Sequence, residues 1–151
     1  MSLLKAGDAA PDFSAPDQNG TVHTLSQYRG QKLALYFYPA DDTPVCTTQA
    51  CNLRDNYARL KSEGYVVVGV SPDDSASHKK FVEKHGLPFT LLADPEKRIL
   101  SAYGVWGEKN MYGKIVVGVK RTTFLIDENG IIAKVIAGVR SAAHADQILK
   151  K

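Results

Sequence analysis

Cysteine is scarce in this 151-residue sequence, which contains only Cys46 and Cys51. Small secreted domains that depend on disulfides spread their cysteines along the chain, so that the bridges join distant segments. A chain of this length buries roughly 68–70% of its unfolded surface and needs neither a disulfide nor a metal in order to fold. The scarcity of cysteine, and the closeness of the two, therefore favour redox chemistry over a structural framework.

Long apolar runs, clusters of positive charge and glycine-rich phosphate loops are also missing. No stretch approaches the ~20 residues that a membrane span requires, and the start of the chain lacks the apolar core of a secretory signal. The formal net charge is only +3, and the lysines and arginines are scattered, whereas nucleic-acid binding requires a basic patch. We therefore expect a cytoplasmic protein that binds neither nucleic acid nor membranes and uses no nucleotide cofactor.

The histidines do not indicate a metal site. They are His23, His78, His85 and His144. Their spacings from one another and from the cysteines match no zinc-ligand pattern, and C-x4-C differs from the usual C-x2-C. His85 is interpreted as the last residue of a helix, a position that the helix dipole favours. We expect no metal and no other cofactor.

The predicted elements favour a single α/β domain over residues 1–151. The apolar runs 32–38 and 65–71 lack polar alternation and predict buried parallel strands, and the segment 44–62 between them predicts a helix. The other predicted elements are a hairpin (11–24), a helix (75–85), a strand (89–92), a helix (96–103), a loop with a short strand (106–120), a hairpin (strands 122–126 and 131–137) and a helix (142–150). This order predicts a thioredoxin-like fold, a central mixed β-sheet flanked by helices, with an N-terminal β-hairpin.

Cys46 falls at the start of the first predicted helix. Thr43 suits the N-cap and Pro44 the first helical position, which makes Cys46 the third helical residue. The unsatisfied N–H groups and the positive end of the helix dipole favour a thiolate there, and the thiolate is the nucleophilic form. The alternative is that Cys46 is merely a small buried residue on the apolar face of the helix.

Cys51 lies five residues further along the same helix. That separation corresponds to ~7.5 Å of rise and roughly 8.6 Å between the two Cα atoms, beyond the ~7 Å that a disulfide tolerates. The two sulfurs can therefore bond only if the first turns of the helix unwind. The spacing predicts a redox switch, with an incidental cysteine on the flank of the helix as the alternative.

Three ordered motifs carry a family resemblance. Pro39, Thr43 and Cys46 match P-x-x-x-T-x-x-C inside FYPADDTPVCTTQACNLRD (37–55), and GVWGEK (104–109) and RTTFLID (121–127) follow. The sequence resembles the peroxiredoxins, in particular the bacterioferritin comigratory protein (PrxQ) subfamily, over nearly its whole length. One residue departs from the subfamily, which usually has glycine where this chain has Val45. A β-branched residue there is bulkier and stiffer, and we expect it to affect substrate access or unwinding without abolishing activity.

The resemblance implies a role for each matching residue. Cys46 would be the peroxidatic cysteine, which attacks a hydroperoxide and becomes a sulfenic acid. Cys51 would be the resolving cysteine that condenses with it into an intramolecular disulfide. Thr43 would hydrogen-bond the thiolate and the peroxide, Pro39 would shape and shield the pocket, and Arg121 would hold the thiolate and polarise the peroxide.

The activity implied is that of a thiol peroxidase for hydrogen peroxide and small organic hydroperoxides, active in antioxidant defence. Thioredoxin is the implied reductant, with glutaredoxin as an alternative, and an internal resolving cysteine suggests a monomer. Two other functions stay open. A general disulfide oxidoreductase is disfavoured because such enzymes use C-x-x-C. A non-enzymatic redox sensor would use the same switch without catalytic turnover.

Overall fold

The computed structural model describes residues 4–150, so residues 1–3 and Lys151 of the predicted domain lie outside the described residues. The strands are β1 (Ser14–Pro16), β2 (Val22–Thr24), β3 (Lys32–Phe37), β4 (Tyr65–Ser71), β5 (Thr90–Ala93), β6 (Trp106–Met111), β7 (Lys114–Val119), β8 (Thr122–Ile126) and β9 (Ile132–Ile136). The α-helices are α1 (Pro44–Asp55), α2 (Tyr57–Ser62), α3 (Ser75–His85), α4 (Arg98–Ala102) and α5 (His144–Leu149), and 3₁₀ turns cover Leu25–Tyr28 and Ser141–Ala143. Within residues 4–150, none of the helices combines the length and apolar character needed to span a bilayer.

Five strands form the central sheet in the order β5-β4-β3-β8-β9. Strands β3, β4 and β5 are parallel, whereas β8 runs antiparallel to both β3 and β9. The hairpin predicted within 11–24 forms a separate two-stranded sheet of β1 and β2 at the N-terminal side. The mixed sheet, its helices and this hairpin confirm the predicted thioredoxin-like fold.

Strand β3 separates two hydrophobic cores. Its side chains alternate, with Leu33, Leu35 and Phe37 in one cluster and Ala34 and Tyr36 in the other. The first cluster includes residues of β1 and α4, and the second includes residues of α1, α2, α3 and α5. Because both faces of β3 are buried, its sequence is apolar throughout instead of alternating.

The predicted helix 44–62 is divided in two. Asn56 leaves the helical conformation (φ −110°, ψ 12°), and its side-chain amide donates to the carbonyl of Asn52 at 2.8 Å. Asparagine side chains compete with the backbone for such hydrogen bonds, which interrupts helices. The apolar spacing is nevertheless correct on both sides of the break, since Leu53 and Leu60 are both fully buried.

The interpretation of 106–120 as a loop followed by a short strand is wrong in its first half. Residues 106–111 form strand β6, which pairs antiparallel with β7. The turn between them places Tyr112 (φ 55°) and Gly113 (φ 80°) in the left-handed region. Two such residues match the two-residue turn that joins tight hairpins. The usual Asn-Gly or Asp-Gly signal is absent, which is why the sequence did not reveal the turn.

Candidate active site

The sheet topology brings Arg121 to the start of α1. Strand β8 is antiparallel to β3, and Thr122 pairs with Phe37. The residue before β8 therefore lies beside the end of β3, where the chain continues through the loop 38–43 into α1. Arg121 and Cys46 are 75 positions apart in the sequence, yet this register places them side by side.

Cys46 is the third residue of α1 and is only 2% exposed. Arg121 Nη2 donates a hydrogen bond to its sulfur at 3.2 Å, and Nη1 donates to Gln49 Oε1 at 2.7 Å. Gln49 therefore orients the guanidinium against the sulfur. The sequence reasoning missed Gln49, although a polar residue three positions after Cys46, on the same helix face, is a signal that can be read.

Thr43 and Pro44 occupy the predicted positions at the helix start. Thr43 is the N-cap residue, and Pro44 is the first helical residue. The Thr43 hydroxyl does not cap the helix, however, because it donates to the carbonyl of Ala40 at 3.1 Å. Pro39 lies in the same loop and is partly buried. Val45 is 54% exposed, so its side chain points largely into solvent.

Asp41 anchors this loop to α3 and to the segment that follows β4. Its carboxylate accepts from the hydroxyl of Tyr38 at 2.6 Å and of Ser77 at 2.7 Å, and it lies 2.7 Å from His78 Nδ1. Its backbone N–H donates to Asp73 at 2.7 Å. Burial raises the pKa of Tyr38 well above its ordinary value, which keeps the phenol protonated as a donor. These bonds position the polypeptide directly before Cys46, a role that the sequence did not indicate.

Cys51 does not contact Cys46. Both thiols are free, and α1 runs continuously through both positions. Cys51 is partly buried, with its sulfur 4.0 Å from His85 Nδ1. His85 ends α3 as predicted, and Gly86 follows in the left-handed conformation. Within residues 4–150, no group of three or more His, Cys, Asp or Glu side chains is arranged to hold a metal ion.

The arrangement suits a nucleophilic sulfur. A guanidinium hydrogen bond to a buried sulfur stabilises negative charge on it, and charge-assisted bonds of this kind are the stronger ones. The N-terminal turn of α1 adds its free N–H groups. A thiolate so held can attack an electrophilic atom while fixed donors receive the charge that moves to the leaving group.

A model of the AhpC/TSA family matches residues 6–135. The chain belongs to this family. It is a peroxiredoxin and therefore a thiol-dependent peroxidase, in agreement with its similarity to curated relatives. Peroxiredoxin Bcp of Escherichia coli (strain K12) is 46% identical over 149 residues, which cover 99% of this chain and 96% of that protein. Peroxiredoxin Bcp of Bacillus subtilis (strain 168) is 42% identical over 147 residues, 97% of this chain and 94% of that protein.

Solved structures agree with the fold of this peroxiredoxin. A variant of PrxQ from Xylella fastidiosa superposes with a TM-score of 0.90 at 33% identity, over 99% of this chain and 95% of that one. Peroxidoxin BcpB from Mycobacterium tuberculosis has a TM-score of 0.85 at 36% identity, over 97% of this chain and 94% of that one. The family resemblance inferred from the motifs is confirmed.

His144 makes the stability of the peroxiredoxin depend on pH. The ring is fully buried, and its nitrogens bond Thr123 Oγ1 at 2.7 Å and Gln147 Oε1 at 2.9 Å. Burial, followed by the charge of Arg121, lowers the pKa of His144 below 6.5, against the opposing hydrogen bond to Gln147. The unfolded chain therefore binds the proton more readily. The resulting stability is complete above pH ~6.5 and is lost as the pH falls towards the lowered folded pKa.

We expect the free energy of unfolding to fall below pH ~6.5 by up to about 1.4 kcal/mol per pH unit from this residue. His144→Gln removes the titrating ring and should flatten that part of the profile, even if the variant is less stable overall. Urea unfolding at half-unit pH steps measures the slope. Equal slopes for the parent and the variant would contradict the assignment.

Proposed function

We propose that this peroxiredoxin reduces hydrogen peroxide and small organic hydroperoxides, with Cys46 as the peroxidatic cysteine and Cys51 as the resolving cysteine. The observation that carries the proposal is the 3.2 Å hydrogen bond from Arg121 to the buried sulfur of Cys46 at the start of α1. In its first step, the Cys46 thiolate attacks one oxygen of the peroxide and the O–O bond breaks. Sulfur gains a hydroxyl as sulfenic acid, and the other oxygen leaves as water or an alcohol after protonation.

Each residue around Cys46 has a separate role in this step. Arg121 stabilises the thiolate and then the charge that develops on the leaving oxygen. The Thr43 hydroxyl turns from the carbonyl of Ala40 to the bound peroxide, and Pro39 shields the sulfur from water. The amide nitrogen of Gln49 is buried without a partner among residues 4–150. It therefore supports the proposal as a further donor available to a bound oxygen.

The second step joins Cys46 to Cys51, and the contacts of α1 favour movement at its N-terminal end. Asn52 donates to the carbonyl of Ala142 at 2.9 Å and accepts from the N–H of Ala145 at 2.8 Å. Arg54 donates to the carbonyl of His85 at 2.7 Å. The first turn, in contrast, has no side-chain cap and no acidic residue, and Arg121 holds it through Cys46. We infer that this turn unwinds and carries Cys46 towards Cys51, while the rest of α1 stays docked.

The substrate class and the partners follow from chemistry and from relatives. A bacterioferritin comigratory protein of Xanthomonas campestris, 35% identical to this chain, is described with an alkyl peroxide reduction activity, which supports organic hydroperoxides as substrates here. An intramolecular disulfide close to the exposed residues Pro44 and Val45 at the helix start suits reduction by thioredoxin, with glutaredoxin as the alternative. Since Cys51 makes a partner subunit unnecessary for resolution, we propose a monomer formed by one domain and acting in the cytoplasm.

The proposal is tested by treating the reduced protein with one equivalent of hydrogen peroxide. Alkylatable thiols are then counted, and any new disulfide is mapped by mass spectrometry. We expect rapid loss of both thiols into a Cys46–Cys51 bridge. A stable sulfenic acid at Cys46 beside a free Cys51 would overturn the resolving role. Two unreacted thiols would overturn the whole proposal.

Cys51→Ser separates the two steps. We expect this variant to consume one equivalent of peroxide at the parental rate, because Cys46 and Arg121 are untouched. Turnover with thioredoxin should fall to background, since no intramolecular disulfide can form. Dimedone labelling followed by mass spectrometry detects the stalled sulfenic acid. Parental turnover of Cys51→Ser with thioredoxin would rule out Cys51 as the resolving residue.

A further inference from the structure

His85 links Cys51 to a carboxylate in the active-site loop. Its Nδ1 lies 4.0 Å from Cys51 Sγ, and its Nε2 lies 3.1 Å from Asp42 Oδ1. Hydrogen bonds from Lys84 and then from His85 lower the pKa of Asp42, so this carboxyl is ionised and can only accept. Nε2 therefore carries a hydrogen, and in the neutral ring the lone pair lies on Nδ1, the nitrogen nearer the thiol.

Neighbouring groups restrict the position of His85 and of the Asp42 carboxylate that bonds it. Asp42 adopts the left-handed conformation (φ 58°), and Lys84 Nζ bonds its second oxygen at 2.7 Å. Arg54 of α1 bonds the backbone carbonyl of His85 at 2.7 Å. The ring of Phe81 packs edge-on against the imidazole with centroids 5.2 Å apart. The ring is thus fixed between α1, α3 and the loop.

We propose that His85, oriented by Asp42, is the base that activates Cys51 for disulfide formation, an inference that rests on the proposed resolving role of Cys51. His85 Nδ1 takes the thiol proton, and the Cys51 thiolate attacks the sulfur of the Cys46 sulfenic acid. The S–S bond forms as the S–O bond breaks, and the hydroxide leaves as water with the proton from the imidazolium. Cys51 sulfur is oxidised, and the sulfenic sulfur is reduced.

The contacts of α1 make this role compatible with unwinding. The bond from Arg54 to His85 belongs to the part of α1 that stays docked, so Cys51 remains beside the ring while Cys46 approaches. Among the described residues, the charged and titratable groups that face the ring are Cys51 and Arg54 from α1, Asp42 from the loop, and Lys84 on its own helix. Asp42 is the anion among them, and it stabilises the imidazolium that forms when the thiol is deprotonated.

The test is a single-turnover experiment on His85→Asn. Reduced protein is mixed with one equivalent of hydrogen peroxide, quenched with an alkylating reagent at successive times and analysed by mass spectrometry. We expect Cys46 to oxidise at the parental rate and the disulfide to close at least about tenfold more slowly at pH 7. The closure rates of the parent and the variant should depend differently on pH, because only the parent has an imidazole beside Cys51 that can take the thiol proton. Added imidazole should restore part of the lost rate.

Two further variants make the result specific. Asp42→Asn removes the negative charge beside the imidazole but keeps the shape of the side chain. We expect disulfide closure to slow less in this variant than in His85→Asn. The matched control is His23→Asn, the same substitution in strand β2, which should leave closure unchanged. Equal closure rates and equal pH profiles for the parent and His85→Asn would overturn the inference while leaving Cys51 as the resolving cysteine. A parent that forms no Cys46–Cys51 bridge would overturn both.

Discussion

Cys46→Ser should reduce peroxide consumption to the background rate. A serine hydroxyl stays protonated at neutral pH in the same hydrogen-bonding site, and the oxygen cannot be oxidised to the sulfenic level that the reaction requires. The measurement is the loss of hydrogen peroxide with thioredoxin and its reductase in excess. The replacement is nearly isosteric, so the fold and the Arg121 contact should survive, as circular dichroism and thermal unfolding can verify.

The control for this variant is Cys51→Ser, which carries the same substitution in the same helix. It should still consume one equivalent of peroxide, whereas Cys46→Ser should consume none. Retained peroxide consumption by Cys46→Ser would show that Cys46 is not the peroxidatic residue and would move that role to Cys51.

Arg121→Lys has the second largest expected effect. Lysine keeps the positive charge but is a point donor, and it cannot bond Gln49 Oε1 and Cys46 Sγ through two fixed N–H groups as arginine does. We expect the rate constant of Cys46 oxidation to fall by about 10²–10³, the loss typical of removing one preorganised donor from a site of developing charge. Rapid quench with excess hydrogen peroxide, followed by thiol alkylation, measures this step separately from disulfide closure.

Arg98→Lys is the matched control for Arg121→Lys. Arg98 begins α4, its side chain is 81% exposed, and it pairs only with Glu96 among the ion pairs of the described residues. Its replacement should not change the oxidation rate. A rate for Arg121→Lys within twofold of the parent would show that the guanidinium is not needed for the chemistry and would leave it a structural contact.

Much of the fold was predictable because its signals are local. The strand 65–71 and the helix 75–85 match the structure residue for residue, since a proline, a capping Asp74 and Gly86 mark their ends. The errors also have local causes. Asn56 breaks the first helix through a side-chain bond, and the turn at Tyr112–Gly113 lacks the residues that usually announce a hairpin. Neither feature disturbs the apolar pattern on which the predictions relied.

The residues of the candidate site likewise include some that local signals predict and some that they do not. The placement of Cys46 in the first turn of a helix follows from Thr43 and Pro44, which act within a few residues of it. Arg121 was predicted only through the resemblance, because nothing near it in the sequence points to Cys46. Gln49 and Asp41 were missed, since a polar residue on a helix or in a loop shows its partner only when distant segments meet.

The sequence by itself therefore determined the order of most elements, the thioredoxin-like fold class, the family and the position of both thiols on one helix. These depend on periodicity, caps and short motifs, which act over a few residues. Only the tertiary structure decided which groups meet those thiols. The antiparallel register of β8 on β3 brings Arg121 to Cys46, and the packing of α3 beside α1 brings His85 to Cys51. These contacts join residues that are 34 and 75 positions apart in the sequence. A local sequence pattern cannot specify contacts between residues so far apart in the chain.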